Sequence, residues 1–381
     1  MRFPEFKEGW EVKKLGEIST NKSKKYNPNN ETNFIKCIEL EHLSSETGQL
    51  LGFVDGSQSG SIKNVFQKGD VLFGKLRPYL KKYYQPNFDG VCSSEIWVLN
   101  GKEILNDFLY YLIQTNSFVD LANQSSGSKM PRADWSILEN GLFSFPNSEE
   151  QQKIASFLSL IDERIQTQNK IIEGLKKLKV ATAKKIFSQE FRFKDNNGND
   201  FSKWEEMKLK NIVIIQMGQS PDSSSYNFEN IGIPLIQGNA DILNRKSNPR
   251  QYTSKPTKFC DVGDLLLTVR APVGYVGKSK HYACIGRGIC SVKNNDKSIL
   301  EFIYQFLLYF EDKWKSIEQG STFTAVNSSD INSINILLPS IPEQTKIANF
   351  LSAIDSKIDM ENQLLQKLEE QKKFLLQNMF V

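Results

Sequence analysis

One stretch of thirteen residues occurs twice and limits what the rest of the chain can do. Residues 150–162 read EQQKIASFLSLID and residues 343–355 read EQTKIANFLSAID, differing only at Gln152/Thr345, Ser156/Asn349 and Leu160/Ala353. Pro146 and Pro339 precede the two glutamates by four residues. Proline holds the residue before it extended, so each marks where an extended segment ends and a helix can begin. From there Ile154, Leu158, Ile161, Ile165, Gln168, Ile172, Leu175, Lys179, Thr182 and Ile186 fall at alternating steps of four and three, the 3.5-residue period of a coiled-coil seam. The second copy repeats the seam as Ile347, Leu351, Ile354, Ile358, Glu361, Leu365, Leu368, Lys372, Leu375 and Met379. A lone helix of this length, about 60 Å at 1.5 Å per residue, cannot bury such a seam. The two helices are therefore expected to pair, antiparallel because a globular segment separates them. The polar positions Gln168/Glu361 and Lys179/Lys372 would set the register at some cost in stability.

The remaining sequence is duplicated as well. The piece from Trp10 to Ile18 returns as Trp204 to Ile212, Gly69-Asp70-Val71-Leu72 as Gly263-Asp264-Leu265-Leu266, Leu105–Ile113 near Leu300–Leu308, and Gly127-Ser128 as Gly320-Ser321. Each half is one unit of globular domain plus helix. Within the first, Phe34–Ile38, Val71–Phe73, Ile96–Leu99 and Leu142–Phe145 have the apolar, β-favouring character of strands. Ile104–Val119 carries apolar residues at helical spacing and is predicted to form one amphipathic helix. The expected class is α+β.

Composition narrows the chemistry. The 381 residues are 39% hydrophobic and 24% charged, as in globular proteins. No run is apolar enough to span a bilayer and MRFPEFKEGW is not a secretory leader. Five scattered cysteines without a CxxC pair point to a reduced, cytoplasmic chain with neither a zinc site nor a disulfide framework. Two histidines, His42 and His281, do not assemble a metal cluster or a Ser/His/Asp triad. Gly277-Lys278-Ser279 ends like a phosphate-binding loop, but the motif needs glycine at 272, where Pro272 stands. No catalytic residue and no metal ligand is assigned. Net charge is +4, and it is spread thinly: residues 1–149 hold 17 cations against 18 acids and residues 191–342 hold 18 against 15. A nucleic-acid partner would have to be met by local clusters.

Such clusters occur in both halves. The first has Lys22, Lys24 and Lys25 beside Tyr26; Lys75, Arg77, Tyr79, Lys81 and Lys82 beside Tyr83 and Tyr84; and Lys129 with Arg132. The second has Arg245, Lys246, Arg250, Tyr252, Lys255 and Lys258; Arg270 with Tyr275; and Lys278, Lys280 and Arg287. Cations mixed with Tyr, Ser and Asn in Gly/Pro-rich loops suit phosphate contact and groove reading.

The chain resembles the specificity subunit of type I restriction-modification systems over essentially its whole length. The resemblance lies in Arg2–Trp10, its return as Phe191-Arg192-Phe193 with Trp204, the GDVLFGKLRPYL stretch from Gly69 to Leu80, and the two helix openings. It implies two target-recognition domains (1–148 and 191–341) alternating with two conserved spacer helices (149–190 and 342–381) that form an antiparallel coiled coil with pseudo-two-fold symmetry. Each domain would read one half of a bipartite, asymmetric double-stranded DNA target. The chain itself would carry no cofactor. Two modification subunits would bring S-adenosylmethionine, two restriction subunits ATP and Mg2+, and the target adenine would flip into the modification subunit. Arg77, Arg132, Arg245, Arg250 and Arg270 are the expected base readers. The competing class is a coiled-coil scaffold with two protein-binding domains.

Overall fold

The computed structural model describes residues 1–30, 33–124, 131–318 and 325–380. The chain forms two compact units, Met1–Asn169 with Gln363–Val381, and Lys170–Asn362. Both boundaries fall inside the long helices, Ser148–Phe187 and Ile341–Met379, at the same point of the repeat, since Asn169 and Asn362 are counterparts.

In the first unit Glu11–Lys14 pairs antiparallel with Leu142–Phe145. A four-stranded sheet runs in the order Ser19–Thr20, Ile96–Gly101, Val71–Gly74, Tyr83–Tyr84. A five-stranded sheet runs Lys25–Tyr26, Lys63–Phe66, Gly90–Cys92, Lys36–Ile38, Val54–Asp55, with Lys36–Ile38 and Gly90–Cys92 parallel. The second unit repeats the plan: Glu205–Lys208 pairs with Asn335–Leu338, Leu265–Thr268 lies between Ile289–Asn294 and Val276–Lys278, and Ile233–Ile236 runs parallel to Ala283–Ile285.

The Ile104–Val119 helix is a correction. The first unit breaks it into Asn106–Leu112 and Asn116–Ala122. The Thr115 hydroxyl accepts the Phe118 N–H at 3.4 Å, an N-cap that starts a new helix where one was expected to continue. The second unit keeps one helix there, Leu300–Glu318. The Gly127-Ser128 and Gly320-Ser321 turns lie outside the described residues.

Each core draws on both long helices. In the first unit Leu15, Val71, Phe73, Phe108 and Phe118 pack with Ile154, Leu158 and Ile161 from the start of one helix and with Leu375 and Met379 from the end of the other. In the second, Leu265, Leu267, Phe302, Leu307 and Trp314 pack with Ile186 and Phe187 and with Ile347 and Leu351. Within each unit the helices thus run antiparallel. Ile172, Ile358 and Leu368 are buried and Ile165, Leu175, Ile354 and Leu365 half-buried, whereas off-seam Ile171, Leu178, Val180, Leu364 and Phe374 are exposed.

Candidate nucleic-acid interface

The duplicated motif places its glutamate, glutamine and aspartate against definite partners. The Glu150 carboxylate, fully buried, takes two hydrogen bonds of 2.7 Å from the Arg2 guanidinium. Glu343, equally buried, takes 3.1 and 2.7 Å bonds from Arg192 and one of 2.9 Å from the Trp204 indole N–H. The next residue fastens helix to domain. Gln151 accepts the Leu105 N–H at 2.8 Å and donates to the Pro146 carbonyl at 2.7 Å; Gln344 accepts from Ile299 N–H and donates to the Pro339 carbonyl, both at 2.9 Å. The isoleucines, alanine and leucine between enter the cores. The final aspartate ties the helix to its neighbours: Asp162 meets Lys372 at 2.7 Å and accepts from the Tyr111 hydroxyl at 3.0 Å. Asp355 meets Lys179 at 2.6 Å and accepts from the Gln305 amide at 2.8 Å. The seam lysines therefore pair with the motif aspartates of the opposite helix. Domain and helix pair are fixed to one another in each unit by charge-assisted hydrogen bonds, stronger than neutral ones.

Above this base both domains share a backbone frame. Ser93 N–H donates to Ile38 O at 2.9 Å, as Gly286 N–H does to Ile236 O at 2.8 Å. Lys75 N–H donates to Glu95 O and Val269 N–H to Gly288 O, each at 2.9 Å. Ala133 N–H reaches Lys75 O at 2.8 Å and Val326 N–H reaches Val269 O at 3.0 Å. Position 39 thus corresponds to 237, 93–95 to 286–288, and 76–77 to 270–271.

In the second unit the frame opens into a cleft of about 170 Å³ lined by Ser220, Gln237, Asn239, Arg270, Ala271 and Arg287 with two glycines. Gly288 is required here, because a Cβ would lie 2.3 Å from the Gln237 carbonyl. The Arg287 N–H donates to Ser220 Oγ at 3.0 Å, and the Gln237 amide donates to Gln251 Oε1 at 3.2 Å. Asn239 Oδ1 is buried without a hydrogen-bond partner. The first unit carries acids instead. Glu39 accepts from Lys63 Nζ at 2.6 Å; burial pushes its carboxyl up, and the lysine and the Ser93 hydroxyl outweigh that, leaving it below the ordinary value. Glu95 Oε1 accepts from Arg132 at 2.9 Å, while its Oε2 is buried and unpartnered.

The cation clusters divide into anchored and solvent-facing members. Arg245 is anchored: both terminal nitrogens contact Glu311, Nη1 also donates to the Val276 carbonyl at 3.0 Å, and the guanidinium stacks 4.0 Å over the Tyr275 ring. Lys278 contacts Glu301 and lies 4.3 Å over the Tyr304 ring. Lys82 donates to the Leu40 carbonyl at 2.8 Å, and Lys25 contacts Asn64. Arg250 pairs at 2.9 Å with the buried Asp241, and Lys246 at 3.2 Å with Asp359. Lys22, Lys24, Arg77, Tyr79, Arg270, Lys280, Lys255, Lys258 and Arg287 are exposed; Lys75, Lys81, Tyr84 and Tyr252 are half-buried. Tyr26 and Tyr83 are buried, Tyr83 donating to the Glu46 carbonyl at 2.6 Å. Arg77 and Lys81 adopt left-handed backbone (φ 52° and 47°) at either end of the Pro78–Leu80 turn. Such conformations in non-glycine residues cluster at functional sites. Lys129 lies outside the described residues. The frame brings Arg77 and Arg132 together through the Arg77 N–H to Pro131 O bond of 2.8 Å and the Leu76–Arg132 bridge, and sets Arg270 beside Arg287.

Sequence inspection did not single out Gln237, Asn239, Ser220, Glu39 or Glu95, which carry no motif. Their signal was positional: Gln237 and Glu39 directly follow the two parallel-paired strands, Ile233–Ile236 and Lys36–Ile38, at corresponding places. The histidines serve the fold, His42 Nδ1 accepting the Glu39 N–H at 3.0 Å and His281 Nδ1 lying 2.7 Å from Ser247 Oγ. Among the described residues no group of three or more His, Cys, Asp or Glu is placed to hold a metal ion, and no helix is long and apolar enough to cross a membrane.

Known proteins resemble this chain in sequence and in fold. The provisionally named type I restriction enzyme MjaX specificity subunit of Methanocaldococcus jannaschii is 34% identical over 98% of this chain and 93% of its own length. The MjaVIII specificity subunit of the same organism is 27% identical over 90% and 80%. A chain of a type I R-M system, solved to explain complex assembly and conformational transition, superposes with a TM-score of 0.65 at 25% identity over 97% of this chain and 96% of that one. The type I restriction-modification S subunit from M. genitalium shares the fold, with a TM-score of 0.60 at 18% identity over 98% and 96%. Residues 7–177 and 201–370 each match the type I restriction modification DNA specificity domain, and the chain belongs to the family of type I restriction enzyme specificity subunits.

Proposed function

We propose that this chain reads a bipartite, asymmetric double-stranded DNA target and performs no chemistry of its own. Its recognition domains are residues 1–148 and 191–341, and residues 149–190 and 342–381 are the spacers that hold them. The observation that carries this is one backbone frame built twice, each copy locked to its helices by the same Arg–Glu, Gln and Lys–Asp contacts, with different side chains at the opening of each frame. A repeated scaffold with divergent contact residues suits two readers of two different half-sites, their separation fixed by geometry. The exposed lysines supply phosphate contacts and the salt dependence that follows from them.

Two modification subunits, holding S-adenosylmethionine, and two restriction subunits, holding ATP and Mg2+, dock on this chain in the cytoplasm. The relatives solved or named within type I systems support that assembly. Adenine-methylation mapping of genomic DNA treated with the chain plus its modification subunit tests the assignment. A single split motif with unlike halves is the expected result. A reconstituted complex that neither binds nor methylates any duplex would favour a scaffold with two protein-binding domains.

A further inference from the structure

We propose that the opening of the shared frame is the base-reading subsite of both domains, with Gln237, Asn239, Arg270 and Arg287 taking a purine edge in the second and Glu39 and Glu95 taking an exocyclic amino group in the first. The inference rests on the specificity-subunit function proposed above and adds which side chains read and what kind of base edge each domain prefers.

The correspondence is set by backbone hydrogen bonds and does not depend on sequence similarity: Ile38/Ile236, Glu95/Gly288 and Lys75/Val269 occupy matching places. At this location the side chains differ, the first domain placing two carboxylates, each paired with a cation, Lys63 or Arg132. The second domain offers two amides and two guanidinium groups around a cleft. Arginine pairs bidentately with guanine O6 and N7, and Asn or Gln with adenine N6 and N7. The first domain offers carboxylates, which accept from cytosine N4 or adenine N6. Each carboxylate has a cation on one oxygen, Lys63 on Glu39 and Arg132 on Glu95, and a base amino group suits the acceptor capacity that remains better than a phosphate does. The holding interactions agree with readout. The Gln237 amide is oriented by Gln251, the Arg287 backbone by Ser220, and one Glu95 oxygen by Arg132. At this opening each domain has a buried acceptor without a hydrogen-bond partner, Asn239 Oδ1 and Glu95 Oε2, as Gln114 Oε1 and Ser291 Oγ are elsewhere in the two domains. Buried acceptors are normally satisfied, and an incoming base donor would satisfy the two at the opening.

The test uses the full chain with its modification subunit, the methylation motif mapped for the wild type, and duplexes that depart from that motif by one base pair. Arg287→Lys keeps the charge and loses the fork, and Gln237→Ala removes the amide. Each should lower discrimination about 5- to 150-fold, the range for one bidentate pair, at one or two adjacent pairs of a single half-site. Glu95→Ala should do the same in the other half-site only. Gln237→Glu, close in shape, covers the case in which Gln237→Ala melts early, and should exchange the preferred base. Unchanged discrimination with a normally active wild type overturns this assignment while leaving the specificity function intact. An equal loss on all duplexes also overturns it, marking phosphate contact. A wild-type complex that methylates no DNA overturns both.

Discussion

Lys179 Nζ lies 2.6 Å from Asp355, and their counterparts Lys372 and Asp162 lie 2.7 Å apart. One pair closes each unit, and both lysine side chains are largely buried, at 15% and 11% exposure. These contacts explain why lysine interrupts an apolar seam at the same place in both helices.

Removing one partner from such a pair should carry a penalty that removing the second partly relieves. Lys179→Ala is expected to destabilise the second unit by about 1–3 kcal/mol, the range for a buried polar group that loses its partner, and toward the lower end because Asp355 keeps the Gln305 amide. The double variant Lys179→Met with Asp355→Leu should lose less than the two single changes summed, because no charge is left uncompensated. Urea unfolding of the cycle measures the coupling.

Glu343 and Arg192 should respond unequally. Arg192→Ala leaves a carboxylate with no solvent exposure and, of the two side chains that donate to it, only the Trp204 indole N–H, and should cost about 3–5 kcal/mol. Glu343→Gln keeps the shape and lets the quarter-exposed arginine reach water, at about 1–2 kcal/mol. Denaturation midpoints of the two variants decide the order.

Asp70 makes stability depend on pH. Burial raises its pKa above the ordinary 3.8, against the lowering effect of the Gln67 N–H bond at 2.8 Å. The folded state therefore holds this proton more tightly than the unfolded chain does. That contribution is present below the unfolded pKa and is lost as pH rises through the higher folded value. Asp70→Asn, permanently neutral, should be more stable than wild type at neutral pH and gain nothing at about pH 3. Melting curves across that range check the sign.

The five cysteines are free and buried, and burial pushes the Cys290 thiol up to about 12. A thiol reagent should label none of them in the native chain and all five after denaturation, since the thiolate is the reactive form.

Two arginines that look alike in sequence should part company. Arg245, tied to Glu311 and the Val276 carbonyl, should destabilise the second unit when changed to Ala, by about 2–4 kcal/mol, without altering base preference. Arg77, exposed on its left-handed turn, should leave stability nearly untouched and relax one half-site when changed to Ala. Melting temperature and methylation maps of both variants separate the two roles.

The duplicated helices and their seam were legible because a long amphipathic pattern is read locally and was printed twice. Leu142–Phe145 and Val71–Gly74 were legible for the same reason, as apolar runs inside a sheet. Two-residue strands such as Lys246–Ser247 and Tyr83–Tyr84 have no period to detect; distant partners decide them. The helix break at Thr115 was missed because its one capping hydroxyl stands in otherwise unbroken helical spacing. Among the cations, composition did not distinguish Lys278, held by Glu301, from exposed Lys280, since only the fold determines which side chain meets an acid. Gln237 and Glu39 stayed hidden because their importance comes from occupying one frame, a relation that aligned motifs do not reveal.

The two unit boundaries, Asn169 and Asn362, have a topological consequence. Each compact unit is completed by the tail of the other repeat's helix, so the halves exchange arms reciprocally within one polypeptide. The peptide linking them runs from the end of one helix at Phe187 to Arg192, which holds Glu343. Fragments cut there would together still hold every segment from which both units are built, and what makes either unit whole is a borrowed helical tail in matching register, whichever chain provides it.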